Sequence, residues 1–194
     1  MRTGEVTRKT NETQIFLRIN LDGTGHTSIN TGIGFFNHIL TLFAAHGQFD
    51  LVVDCKGDLE VDGHHSVEDI GIALGTAIKN ALGDKRGINR YGTFFLPMDE
   101  SLALVSLDIS GRPFLVYDAG ELAPMVGNFD TELTEEFLRA LAFNAGITLH
   151  AKILHGKNSH HKIEAIFKAL GHALRIATEY DAKNTGVPST KGIL

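Results

Sequence analysis

The sequence predicts an α+β protein built twice from one unit, a two-layer α/β sandwich in which each half reads βββαβα. Three observations predict it. The segment His64-His-Ser-Val-Glu-Asp-Ile-Gly-Ile-Ala-Leu-Gly75 aligns with His160-His-Lys-Ile-Glu-Ala-Ile-Phe-Lys-Ala-Leu-Gly171, seven of twelve positions being identical at a spacing of 96 in a chain of 194 residues. Self-similarity at about half the chain length marks an internal duplication. Each copy is also preceded by a β-rich stretch and, before that, an amphipathic helical pattern. Finally, no Pro- or Ser-rich linker separates the halves, so they are expected to pack as one compact molecule.

In the first half, residues 3–9 and 14–20 read as strands around a turn at Asn11, and Asp22-Gly-Thr-Gly25 is turn chemistry. Thr27–Asn30 is a third strand. Phe35–Ala45 has helical periodicity and stops at Gly47, Phe49–Asp54 alternates as a strand, and Ser66–Leu82 is a helix closed by Gly83. The second half repeats the order: strands Tyr91–Pro97, Leu102–Ile109 and Phe114–Asp118, a helix Thr134–Asn144, a strand Thr148–Leu154 and a helix His161–Thr178. The repeats divide the chain into 1–86 and 87–183, and 184–194, without periodicity, reads as a surface arm.

Composition narrows the function. Ten His in 194 residues is a surplus in a chain that is otherwise 43% hydrophobic and 21% charged. No apolar run exceeds four residues, far short of the ~20 a membrane helix needs. One cysteine rules out an internal disulfide framework and fits a reducing, cytoplasmic compartment. Residues 1–10 lack the apolar core of a secretory signal. A net charge of −5 with scattered Lys and Arg argues against nucleic acid as the partner.

The duplicated His-His-x-x-Glu motif carries the chemistry. On a helix, His64 and Glu68 are i,i+4 and His65 and Glu68 are i,i+3, so imidazole and carboxylate share a face. That donor set suits borderline or hard divalent metals, and the lack of paired cysteines argues against a closed structural zinc site. A lone motif is as often a surface or helix-capping arrangement; the duplication favours two metals. Upstream, overlaying His46 on Asn144 places His38 on Glu136, so His38 and Glu136 are candidate further ligands. The bland alternative for Glu136 is a solvated acid beside Glu135 at a helix start. His26, His150, His155 and His172 have no partner pattern and receive no role.

Thr31-Gly-Ile-Gly-Phe-Phe-Asn-His38, Asp62-Gly-His-His-Ser-Val-Glu-Asp-Ile-Gly71, Met98-Asp-Glu100, Ile109-Ser-Gly-Arg-Pro113, Gly156-Lys-Asn-Ser-His-His-Lys-Ile-Glu-Ala-Ile-Phe-Lys168 and Val187-Pro-Ser-Thr-Lys-Gly192 resemble the imidazoleglycerol-phosphate dehydratase family. The resemblance runs in order along essentially the whole chain. It implies a ribosomal protein S5 domain 2-like half-domain and an enzyme of histidine biosynthesis. The reaction would remove water from imidazole glycerol phosphate to give imidazole acetol phosphate with two Mn²⁺ per subunit. The family's metal ligands carry onto His38, His64, His65, Glu68, His160, His161 and Glu164; at the eighth position, commonly His, this chain has Glu136. A carboxylate still suits a hard ion.

The resemblance further implies that Glu12 and His46 face the reacting glycerol portion and that Arg90, Arg112, Ser189, Thr190 and Lys191 hold the phosphate. Glu12, Glu68 and Glu164 are then the carboxylates at the reacting centre, and His38, His64, His65 and Glu68 also border the substrate. Forked guanidinium donors, hydroxyls and an ammonium are what a phosphate wants; without the resemblance, surface charge and a disordered terminus would be the better readings. The C–H bond to be broken has no carbonyl to acidify it, so holding the imidazole as imidazolate between two Lewis-acidic metals explains the ligand surplus. Glu12 or a metal-bound water would serve as acid–base group. Relatives of this kind form sites between subunits of a 24-subunit shell, so a homo-oligomer is expected.

A dinuclear metallohydrolase is the rival enzyme class, but it draws more on Asp at strand ends. A metal-storage or assembly protein leaves the arginines and the Ser-Thr-Lys tail unused, and a ferritin-like bundle conflicts with the β-rich segments.

Overall fold

The computed structural model describes residues 1–183, 186–192 and 194; within the expected arm, Asn184, Thr185 and Ile193 lie outside the described residues. The first half contains β1 (Thr3–Lys9), β2 (Thr13–Asn20), β3 (Thr27–Asn30), α1 (Gly34–Gly47), β4 (Asp50–Gly57) and α2 (His64–Leu82). The second contains β5 (Tyr91–Met98), β6 (Ser101–Asp108), β7 (Phe114–Asp118), β8 (Met125–Val126), β9 (Phe129–Asp130), α3 (Leu133–Ala145), β10 (Thr148–His155) and α4 (Ser159–Thr178).

The two main sheets have one topology, β1-β2-β4-β3 and β5-β6-β10-β7. In each, two antiparallel pairings are followed by a parallel one at β3/β4 or β7/β10. A parallel pair needs a long crossover, and α1 and α3 supply it. Alternation decides which sheet face is covered: Ile15, Leu17 and Ile19 of β2 are fully buried while their neighbours face outward, and Ala103, Val105 and Leu107 do the same on β6.

Helices α1 and α2 cover the first sheet, and α3 and α4 the second. The halves then meet helix to helix, α1 on α4 and α2 on α3. Phe36 of α1 meets Phe137 of α3 edge-on, and Phe137 stacks on Phe167 of α4, so one aromatic core joins both halves. Close approach depends on glycine: a Cβ at Gly171 would lie 2.4 Å from the Phe43 carbonyl oxygen, and one at Gly71 2.8 Å from the Ala140 Cβ.

Element ends differ from the periodicity by up to three residues. One difference matters. Helices α2 and α4 start at His64 and Ser159, before the expected Ser66 and His161, so both His pairs sit in the first turn. The cause is capping upstream: the Asp62 carboxylate accepts from the His64 amide, and the Asn158 side chain accepts from the amides of His160 and His161. The β8–β9 hairpin was absent from the sequence reading because two-residue strands are too short to show alternation.

Candidate functional site

Adjacent residues on a helix point about 100° apart, so the two histidines of each pair serve different surroundings. His160 turns toward α1. Its Nε2 lies 3.0 Å from Glu164 Oε2, and His38 Nε2 lies 3.0 Å from the same oxygen. One ligand atom from each of His38, His160 and Glu164 falls within 4.8 Å of the others, a grouping that can hold a metal ion. Phe35 walls it, its ring centroid 4.9 Å from that of His160. Glu164 is buried, and Lys168 Nζ lies 2.5 Å from its other oxygen. Burial alone would raise the Glu164 pKa; Lys168, His38 and His160 outweigh it and hold the carboxyl at about 2, ready as an anionic ligand.

His161 turns the other way. Its Nδ1 is 2.8 Å from Glu100 Oε2, while Glu100 Oε1 accepts from the amides of Lys157 and Asn158. The Asn158 amide first, then His161 and the Lys157 amide, keep the Glu100 carboxyl far below the usual carboxylate range, and Glu100 in turn raises the His161 pKa. His65 has the matching arrangement, with Nδ1 3.0 Å from Asp58 and Nε2 3.7 Å from Glu12. In the neutral ring, a carboxylate on Nδ1 favours the tautomer with the proton on Nδ1 and the lone pair on Nε2. Asp58 and Glu100 were missed by sequence reasoning. Glu100 left a trace in Met98-Asp-Glu100, but lies 61 residues from His161; Asp58, seven residues before His65, sits in the loop after β4 where no helix or strand spacing marks it.

The α2–α3 seam is built differently. His64 Nε2 lies 3.9 Å from Glu68 Oε2, a loose pair. Glu68 and Glu136 line one groove with Ile72 and Asn144, yet the Glu136 carboxylate is taken up by Arg139 at 3.1 Å. Of the eight residues expected as ligands, one chain thus brings His38, His160 and Glu164 together and pairs His64 with Glu68. It leaves His65 and His161 apart from both, and Glu136 in the same groove as Glu68 but paired with Arg139.

The expected phosphate residues collect at the far end of α4. Arg90 binds Asp108 with two nitrogens, at 2.7 and 3.1 Å, and donates to the Pro188 carbonyl at 2.9 Å. Arg112 Nη2 is 3.6 Å from the same Asp108. Arg90 is held at φ 74°, a left-handed conformation that favours glycine, with its amide bonded to the Ala177 carbonyl. The tail makes a turn in which the Gly192 amide donates to the Ser189 carbonyl and the Lys191 amide to the Ser189 hydroxyl, so Ser189, Thr190 and Lys191 lie in a turn next to Pro188. Asp108, the hub for both arginines, also went unread in the sequence. Between the two ends, His46 Nδ1 contacts His172 Nε2 at 3.2 Å.

Among the described residues, no helix is long and apolar enough to cross a membrane. Residues 31–174 match the family model described as imidazoleglycerol-phosphate dehydratase. Curated relatives of that name include one from Acetivibrio thermocellus, 63% identical over 98% of this chain and 97% of the relative. Another, from Caldanaerobacter subterraneus, is 62% identical over the full length of both. The solved structure of the Staphylococcus aureus imidazoleglycerol-phosphate dehydratase superposes with a TM-score of 0.84 at 45% identity, over 92% of this chain and 99% of that one. The Pyrococcus furiosus structure gives 0.84 at 38% identity, over 97% and 100%. With motif, fold and full-length similarity in agreement, the chain belongs to the imidazoleglycerol-phosphate dehydratase family, a family of hydro-lyases.

Proposed function

We propose that this chain dehydrates imidazole glycerol phosphate to imidazole acetol phosphate in histidine biosynthesis, with two Mn²⁺ per subunit. The observation that carries the metal reading is the His38–His160–Glu164 group, where two imidazoles meet a buried carboxylate held ionised by Lys168. That donor set fits a borderline or hard divalent ion. His38, His160 and Glu164 would hold one ion, and His64, Glu68 and Glu136 the other, with His65 and His161 completing the sites. When bound, the ions supply Lewis acidity that favours the imidazolate form of the substrate ring.

The chain's own groups do the rest. Glu12, half-exposed beside His65, is placed to take or return a proton near the reacting carbons. Hydroxide leaves the carbon next to the ring and departs as water with the proton given up by the ring N–H; the following carbon then loses its proton as the ring nitrogen is reprotonated, and the enol formed tautomerises to the ketone. Arg90, Arg112, Ser189, Thr190 and Lys191 bind the phosphate and fix the substrate's reach toward the ligand cluster. His65 and His161, partly exposed and apart from the His38–His160–Glu164 group, support a homo-oligomer of 24 subunits whose sites complete across subunits. Incubating Mn²⁺-saturated protein with imidazole glycerol phosphate tests the reaction: the enolisable ketone is expected, and no product overturns the reading. Elemental analysis is expected to find two ions per chain.

A further inference from the structure

We propose that His172 is a positioning residue that fixes the tautomer of His46, presenting His46 Nε2–H as a hydrogen-bond donor to the substrate. The inference rests on the reading that His46 contacts substrate and adds a residue to which sequence reasoning assigned no role.

Helices α1 and α4 run side by side in one direction, residue i of α1 meeting residue i+126 of α4. His38 meets Glu164 in this register, and two turns on His46 meets His172, Nδ1 to Nε2 at 3.2 Å. One of these nitrogens must donate. The His172 ring lies flat on Phe94, centroids 4.1 Å apart and planes 15° apart, which fixes its orientation. Its other nitrogen, Nδ1, is buried with no hydrogen-bond partner among the described residues.

A buried N–H without a partner costs more than a buried lone pair without one. The His172 proton therefore sits on Nε2 and is donated to His46 Nδ1. His46 Nδ1 is then an acceptor, and a neutral His46 carries its proton on Nε2. Burial first lowers the pKa of both rings and so favours their neutral forms, with Lys168 acting further on His46 against an opposing Glu164, and with His46 and Arg175 acting on His172. The arrangement is not a general feature of the repeat. At the corresponding places of the α2–α3 seam stand Thr76 and Asn144, each hydrogen-bonded to a carbonyl of its own helix, Ile72 and Ala140.

The test compares two substitutions with opposite defects in the metal-loaded enzyme. His172→Phe keeps an aromatic ring on Phe94 but has no donor; His172→Gln loses the stack but keeps an N–H near the Nε2 position. Expected is a rise of roughly tenfold in KM for His172→Phe with a smaller change in kcat, and a clearly smaller KM rise for His172→Gln. In a His46→Ala background, adding His172→Phe is expected to cost no more than about twofold, because the route through His46 is gone. A larger defect for His172→Gln than for His172→Phe would show a packing role and overturn the proposal, as would a His172→Phe effect that persists without His46. Thermal melting checks that each variant is folded, and His172→Leu replaces His172→Phe should that variant not fold. An unimpaired His46→Ala enzyme removes the substrate contact and this inference together; an impaired His46→Ala with an unimpaired His172→Phe removes this inference alone.

Discussion

The α1–α4 and α2–α3 seams descend from one repeated pattern, yet they are built to different standards. At α1–α4, two imidazoles share one carboxylate oxygen at 3.0 Å, and a lysine neutralises the other. At α2–α3, the His64–Glu68 pair is 3.9 Å apart and Glu136 is engaged by Arg139. The residue repeating Lys168 is Ile72, so no lysine stands beside Glu68 at that place. The helix starts differ as well. Asn158 caps α4 through two amides and Glu100 ties down its first turn, whereas α2, with Gly63 at its N-cap, has only the Asp62 carboxylate accepting from the His64 amide. The two seams therefore share the His-His-x-x-Glu donors but differ at the third place, His38 against Glu136, and in organisation: the α1–α4 group is already gathered, whereas on the proposed two-metal reading the α2–α3 group would have to rearrange. Ordering ligands on binding costs free energy, so the preorganised seam should bind its metal more tightly.

The largest expected effect breaks that comparison directly. Glu164→Gln should weaken metal binding at its seam by at least about 100-fold, and Glu68→Gln by less, because Glu68 is less fixed beforehand. Titration calorimetry with Mn²⁺ on each variant measures both; equal losses would mean the seams are equivalent.

Lys168→Met leaves the Glu164 carboxylate buried without its cation and should destabilise the metal-free protein by about 3 kcal/mol. Glu164 ordinarily titrates near 4.5 and is held at about 2. Its contribution to stability is thus complete above about pH 4.5 and is lost as pH falls toward 2. Urea denaturation of metal-free protein should show that acid loss weakened in Glu164→Gln; an unchanged pH slope would sink the assignment.

Gly171→Ala sharpens the packing side of the comparison. Its Cβ meets the Phe43 carbonyl oxygen at 2.4 Å, whereas that of Gly71 meets the Ala140 methyl at 2.8 Å and the Phe137 carbonyl oxygen at 2.9 Å. Gly171→Ala should cost about 2–3 kcal/mol and Gly71→Ala less, read as denaturation midpoints at constant m-value. The smallest effect is expected from Arg139→Ala. Freeing Glu136 from an exposed ion pair should tighten metal binding at α2–α3 by no more than about fivefold; weaker binding would show that Arg139 helps the site.

The elements and the His-His-x-x-Glu motif were legible in the sequence because both are local. Alternation marks β2 and β6, 3.6-residue periodicity marks the helices, and His-x-x-x-Glu spacing is a property of one helix turn. The short β8–β9 hairpin escaped because it is too brief to have a period. Asp58, Glu100 and Asp108 escaped because each acts on a partner from another element: Asp58 on His65, Glu100 on His161, Asp108 on Arg90. His172 looked like a histidine without a partner, and only the parallel run of α1 beside α4 supplied one.

By itself, the sequence determined that there are two copies of a metal-type motif, which donors each offers, and that the chain folds as α+β. Those properties follow from spacing along a single helix or strand. Only the tertiary structure decided the pairing. His38 of the first half joins His160 and Glu164 of the second, because the buried faces of α1 and α4 pack on each other across the halves and Gly171 lets them close. A contact between residues 126 apart depends on helix packing, which no periodicity along the chain records.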